Sequence, residues 1–427
     1  MYKQLLKQAW YTFLESPYQG CITILGTGLS VSLIVSLLMG GFWGKMMNIS
    51  PENHRTRTLY VKWVGVENKE TGLGVEDGFL SLQTIRECFQ SLETPEEVVV
   101  TSPLQAQIAS VPGRKQTRCL VSFTDDAFWR IFDFSFLAGS PYDKADFEAG
   151  MRKVVLSEDM ARSLFGDIKD LVGKQVLLNY HMYTISAIVK NVNPYLSHSY
   201  GEAWIPYTST HIREATGTEG ITGRYKCQIL ARSHWDMGKI RREVEAKVQQ
   251  YNNSLADHRI NLYRQPDIKV VEEDRFGPRY PDMRESVISN AIMILVILLV
   301  PAINLSGFTL SRMRERKEEF GVRKAFGGTR ITVFWQVIWE NMVYSIMGGL
   351  LAILFYWVTT FFLKDMVFIS GSQWGLDVTP EVPAELIFNP VVFLLAFLFC
   401  LIINLLSAGL PAWKISSLTV IDSFKAD

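Results

Sequence analysis

Four charge-poor apolar runs separated by one long polar stretch organise this chain. Ile22 to Phe42 carries no charge over 21 residues, enough helix to cross a hydrocarbon core of about 30 Å. Val287 to Phe308 is also charge-free, Ile331 to Leu363 is interrupted by Glu340 and then closes before Lys364, and Val391 to Leu410 completes the set. The pattern predicts an α-helical membrane protein with four transmembrane helices. The first run is longer than a signal-sequence core and is expected to remain as a span; Cys21 precedes it and is no lipid acceptor. Ahead of it, Tyr2, Leu5, Leu6, Ala9, Trp10, Phe13 and Leu14 recur at helical spacing opposite Lys3 and Lys7. That predicts an amphipathic helix in the inner interface, ending where the chain turns at Pro17.

Between the first two runs the period shortens. Strand-like segments are expected at Thr58–Val64, Val98–Thr101, Arg118–Thr124, Val154–Ser157, Gln175–Leu178, Tyr183–Val189 and Lys226–Leu230. Met237, Ile240, Val244, Val248 and Tyr251 mark the apolar stripe of a helix, with Arg241/Glu245 and Glu243/Lys247 spaced to pair across one turn. Residues 45–285 therefore read as an α+β extracytoplasmic domain, large enough for one sizeable core or two small lobes. The chain divides at 1–44, 45–285 and 286–427.

Charge sets the orientation. Lys3 and Lys7 precede the first span, seven basic residues from Arg312 to Arg330 separate the second from the third, and Lys414 and Lys425 follow the fourth. The loop after the third span holds Lys364 but Asp365, Asp377, Glu381 and Glu385. Basic loops stay in the cytoplasm, so both termini and the arginine-rich loop are expected inside and the large domain outside. The first two spans then form the stalk of that domain.

The chemistry-bearing residues of the chain read as structural. With 43 basic and 43 acidic residues there is no basic stripe for nucleic acid. Cys21, Cys88, Cys119, Cys227 and Cys400 show no metal spacing; one disulfide among Cys88, Cys119 and Cys227 is open, and free buried thiols are the favoured reading. None of the six histidines sits in a HExxH frame, and there is no GxSxG elbow. Asp125-Asp126 reads as a cap for a helix beginning near Ala127. Gly166 to Gln175 has six residues between its glycines and Gln175 where a magnesium-holding hydroxyl belongs, so it reads as a turn into a strand. No catalytic residue, metal or cofactor is expected, and any ATP must bind another chain.

Inside the spans, Pro301 should kink the second helix, with Asn304 one turn on as a partner within the bundle. Glu340 is an intramembrane carboxylate open to a structural or a functional role. Gly348 and Gly349 permit close helix approach, within the subunit or at a dimer seam.

The segment from Arg312 to Arg330 interleaves bases with Glu315, Glu318 and Glu319 and embeds apolar residues, which suits docking on a protein better than solvation alone. Glu315-Arg316, then Glu319-Phe320-Gly321-Val322-Arg323-Lys324-Ala325-Phe326-Gly327-Gly328, closely resembles the signature of MacB/FtsX-type ABC transporter permeases. Glu340 with Gly348-Gly349, Pro411-Ala412-Trp413-Lys414, and Val154 to Ala161 with Leu164-Phe165-Gly166 and Gly173-Lys174 match further motifs of that family. A proline common after the last span is replaced near Thr419.

The resemblance implies a MacB-like core domain outside and an FtsX-like permease domain with three further spans. It casts Arg312, Arg314, Glu315, Arg316, Glu318, Glu319, Phe320, Gly321, Val322, Arg323, Lys324, Gly327 and Gly328 as the coupling helix that sits on the ATPase. Its implied partners are separate cytoplasmic ABC ATPase subunits, a second permease subunit, the lipid bilayer, and a periplasmic adaptor or outer-membrane protein where one takes part. The implied place is the bacterial inner membrane. The expected activity is ATP-driven motion of the outer domain for export or extraction of a peptide, drug or lipoprotein. The alternative is an FtsX-like regulator of cell-wall hydrolases that moves no substrate.

Overall fold

A computed structural model describes residues 17–40, 47–210, 216–282, 329–367 and 389–416, most of 284–299, and isolated positions between 311 and 326. The chain forms two compact units, one gathering the apolar runs and one built on 45–282.

In the first unit the helix Pro17–Gly40 opens with proline at its first position, where the missing N–H is no loss. Arg330–Val367 and Pro390–Ser416 are the other long helices. Pro390 again stands at a helix start, and Asn389 Oδ1 caps it by accepting from the N–H groups of Val391 (3.0 Å) and Val392 (3.1 Å). Among the described residues three helices are long and apolar enough to cross a membrane: Gly20–Met39, Arg330–Phe362 and Pro390–Gly409. The described positions between 284 and 299 are helical. The rest of the second run with Pro301 and Asn304, and the amphipathic pattern of residues 1–16, lie outside the described residues.

The first helix is inside out by the standard of a soluble protein. Thr23, Thr27, Ser30, Ser32 and Ser36 are buried with Val31, Ile34 and Val35, while Ile22, Leu25 and Leu29 face outward. Lipid tails are as apolar as leucine, so membrane helices gain little by hiding large apolar side chains; small residues on the inner face let the backbones approach.

The second unit has two hydrophobic cores. Six strands close on themselves: Gln105–Ser110, Thr117–Thr124, Ala203–Pro206, Lys153–Ser157, His181–Val189 and Gln175–Leu178, each bonded to the next and the last to the first. Closure leaves no free edge within this ring. Val121, Phe123, Val154, Leu156, Ile185 and Ile205 fill its core. The helix Glu158–Phe165 covers it and explains the motif around it. Ser157 ends a strand and accepts from Met160 N–H, Glu158 and Asp159 suit the positive helix start, and Gly166 closes the helix with φ 81°.

Beyond Thr117–Thr124 the sheet continues through Glu97–Thr101, Lys226–Leu230, Thr58–Val61 and Asp267–Ile268. A second sheet joins Thr222–Gly223, Gly74–Leu80, Val64–Asn68 and His258–Asn261. The long helix Met237–Ser254 lays Met237, Ile240, Val244 and Tyr251 onto this second core. Its expected ion pairs are replaced: Glu243 accepts from the N–H groups of Glu93 (2.5 Å) and Thr94 (3.2 Å), and Arg241 donates to the Pro266 carbonyl. The apolar run from Thr58 is broken at 62–63, because Lys62 and Trp63 N–H both turn to Gln265 Oε1 (2.7 and 3.2 Å). Cys88, Cys119 and Cys227 are buried free thiols. Asp125 Oδ1 accepts from Phe128 N–H at the start of the helix Phe128–Ile131.

Candidate functional site

The outer domain is reached by an inbound segment after the first apolar helix and left by an outbound segment before the second apolar run. Both ends are pinned by buried charge. Glu52 accepts from the N–H of His198 (3.1 Å), the N–H of Ser199 (3.0 Å) and the Ser199 hydroxyl (3.0 Å), and Arg55 Nε donates to its second oxygen at 2.7 Å. Burial alone would raise the Glu52 carboxyl; Arg55 and Lys269 outweigh it and hold the group below the usual carboxylate range.

The outbound segment supplies the other half. Lys269 is 0% exposed. It pairs with Glu272 (3.1 Å) and Glu273 (2.7 Å), and its ammonium stands 5.3 Å from the centre of the Tyr60 ring. Lys62, next to the strand Thr58–Val61, makes a second ion pair with Glu272. Arg275 forks onto both oxygens of Asp267 (2.6 and 3.0 Å) and donates to the carbonyls of Pro278 and Tyr263. Gln265 returns a hydrogen bond to the Trp63 carbonyl at 2.7 Å. The His198 ring lies tilted against that of Tyr60, with centroids 4.5 Å apart. Burial and the surrounding cations push its imidazole well below its ordinary range, so it is neutral.

This network does structural work. Buried ion pairs add little net stability, but removing one partner strands a charge and costs several kcal/mol. The arrangement thus resists any relative slip of the inbound and outbound segments. None of its charged members stood out in sequence. Lys269, Glu272 and Glu273 are spaced like an ordinary solvated helix, and Glu52/Arg55 like a surface pair; the available signal was their density immediately before and after apolar runs.

Within the helical unit, Gly348 and Gly349 serve two neighbours at once. A β-carbon on Gly348 would lie 2.7 Å from Thr27 Cβ and 3.0 Å from the Ile24 carbonyl; one on Gly349 would lie 2.2 Å from the Phe397 ring. The pair seats Arg330–Val367 against the first helix on one side and Pro390–Ser416 on the other, both within one subunit. Ser36 and Thr359 hydroxyls meet 3.4 Å apart along the same seam. Glu340 lies in the long helix, its side chain outside the described residues.

Of the thirteen residues read as the coupling helix, Val322 is described: it is helical and accepts from Phe326 N–H at 3.1 Å. Phe326 is 89% exposed. The others lie outside the described residues.

Residues 21–247 match the MacB-like periplasmic core domain family, and 291–420 match the FtsX-like permease C-terminal family. The chain is 20% identical over 425 residues to "Macrolide export ATP-binding/permease protein MacB 1" of Yersinia pestis bv. Antiqua, covering 99% of this chain and 60% of that protein. It thus spans about three fifths of those relatives. It is 24% identical over 352 residues to "Uncharacterized ABC transporter permease YknZ" of Bacillus subtilis, covering 82% of this chain and 84% of that one. Among solved structures it is similar to the extracellular domain of the ABC-type transporter YknZ from Gram-positive bacteria, at 13% identity over 47% of this chain and 99% of that one, with a TM-score of 0.36. The periplasmic region of MacB from Actinobacillus actinomycetemcomitans matches at 13% identity over 49% of this chain and 92% of that one, with a TM-score of 0.33.

Proposed function

Because the chain belongs to the MacB-like periplasmic core domain family and its residues 291–420 match the FtsX-like permease C-terminal family, we propose that this ABC transporter permease converts nucleotide hydrolysis on a separate ATPase into motion of its extracytoplasmic domain. It sits in the bacterial inner membrane with four spans, both termini cytoplasmic, and pairs with a second permease subunit. The mechanical work is export or extraction of a substrate already outside the membrane, a peptide, drug or lipoprotein, with a periplasmic adaptor or outer-membrane duct where one takes part.

The observation that carries this reading is the clasp of buried charge joining the inbound and outbound segments of the outer domain. A domain that only held a ligand would gain nothing from locking together the two segments that lead from its stalk. A lever needs that lock, since otherwise tilting one span would be lost as local slip. The coupling helix is the pushed end. Its mixed charges from Arg312 to Lys324 give register on the ATPase. The exposed Phe326 ring supplies an apolar anchor of the kind buried at interface centres.

The test uses the full chain reconstituted with its ATPase. Reversing both Glu315 and Glu319 to lysine should abolish stimulation of ATP hydrolysis while membrane insertion stays normal. Undiminished stimulation in that variant removes the docking assignment.

A further inference from the structure

In the outer domain a polar cavity of about 220 Å³ lies against the clasp. It is smaller than the roughly 300–1,000 Å³ of pockets for drug-sized ligands. Lys226 lines it, and its ammonium has neither an ion pair nor a hydrogen bond among the described residues. The other cations here are all matched: Arg55 by Glu52, Lys62 by Glu272, Lys269 by Glu273, and Arg275 by Asp267. Asp274, also in the wall, has contacts of its own.

Sheet geometry gathers donors beside that ammonium. Lys226 stands directly opposite Thr101, and Gln228, two residues on, shares its face. Gln228 Nε2 donates to Thr101 Oγ1 and to His198 Nδ1, both at 3.3 Å. With Nδ1 accepting, the proton of neutral His198 resides on Nε2. That nitrogen is buried without a hydrogen-bond partner; Glu272 is 3.1 Å away but misaligned. His198 is 7% exposed and lines the cavity. Ser122, 4% exposed on the neighbouring strand Thr117–Thr124, adds a hydroxyl that makes no hydrogen bond among the described residues. An unmatched cation, an orphan N–H and a spare hydroxyl around one small cavity all ask for the same thing, an acceptor carrying negative charge.

We propose that this cavity binds a small oxyanion, a carboxylate or a phosphate, on the Lys226 ammonium with His198 Nε2–H and the Ser122 hydroxyl as further donors. Burial pushes the Lys226 ammonium down to about 8, which leaves it charged at neutral pH and responsive to a bound anion. The walls include Lys62 of the inbound segment and Glu273 and Arg275 of the outbound one. An occupied site therefore braces the clasp. This inference stands apart from the nucleotide coupling proposed above.

The full-length protein in detergent is titrated calorimetrically with inorganic phosphate and, separately, acetate, against sodium chloride at matched ionic strength. The wild type should show saturable heat with at least one oxyanion and none with chloride. Lys226→Met should weaken that binding about tenfold or more, the scale of a charge-assisted hydrogen bond, and Ser122→Ala severalfold. Lys226→Met removes an unmatched, half-buried charge, so its fold should persist, which circular dichroism checks. Binding of phosphate alone identifies a phosphate site, and of acetate alone a carboxylate site. No saturable heat from either anion in the wild type, equal heat from chloride, or undiminished binding in a folded Lys226→Met overturns the proposal.

Discussion

Replacing Lys269 by methionine is the sharpest perturbation of the clasp. The side chain is 0% exposed and holds both Glu272 (3.1 Å) and Glu273 (2.7 Å). Methionine keeps most of the volume and removes the charge. Glu272 retains Lys62, so the stranded group is Glu273. Breaking a buried ion pair costs about 3–5 kcal/mol. Glu273's side chain is 15% exposed, which places the cost near the lower end, about 3 kcal/mol. Loss of the cation over Tyr60 adds about 0.5–1 kcal/mol, and relief of the buried ammonium offsets a similar amount. A net of about 3 kcal/mol corresponds to roughly 150-fold easier local opening. Amide hydrogen exchange of the full chain should show that acceleration in segments 58–63 and 267–275, with the barrel strands unchanged. Adding Glu273→Gln should recover most of the protection, because the stranded charge is then gone. Exchange within about threefold of wild type, or a double variant no slower than the single, refutes the reasoning.

Three further outcomes follow from the same structure. Burial pushes Lys62 down to about 7 and Lys226 down to about 8 from an ordinary 10.5. On these two groups the unfolded chain therefore holds more protons than the folded one across that interval, and their own contribution to stability rises with pH from about 7 toward 10. The thermal midpoint of the wild type should therefore gain on that of the Lys62→Met/Lys226→Met variant as pH rises over that interval. Gly348→Ala should destabilise the helical unit by about 1–3 kcal/mol through overpacking against Thr27, whereas Gly26→Ala, with nothing within 4 Å of the new carbon, should be neutral; detergent-solubilised melting temperatures compare them. Burial raises the Cys88 thiol to about 12 and those of Cys119 and Cys227 well above the ordinary range, so maleimide should label these three only after denaturation.

The apolar runs determined by themselves that this is a membrane protein, because hydrocarbon imposes a length and a composition that single residues report directly. The strands at Glu97–Thr101, Lys153–Ser157, Gln175–Leu178 and Lys226–Leu230 were legible for a similar local reason, their β-branched residues bounded by turn signals. So was the Ser157-to-Gly166 helix, whose start and stop residues act within one turn. Strands such as Gln105–Ser110 and Ala203–Pro206 were not, since their burial comes from partners distant in sequence. Closure of the barrel is likewise a matter of pairing between Thr117–Thr124 and Ala203–Pro206, some eighty residues apart. The clasp was hidden most completely. Lysine and glutamate read as solvent-facing in sequence, and only the packing of 52–62 against 265–275 takes them out of water and makes each depend on the other. The two glycines at 348 and 349 announced close approach; which helices they admit was decided by the bundle.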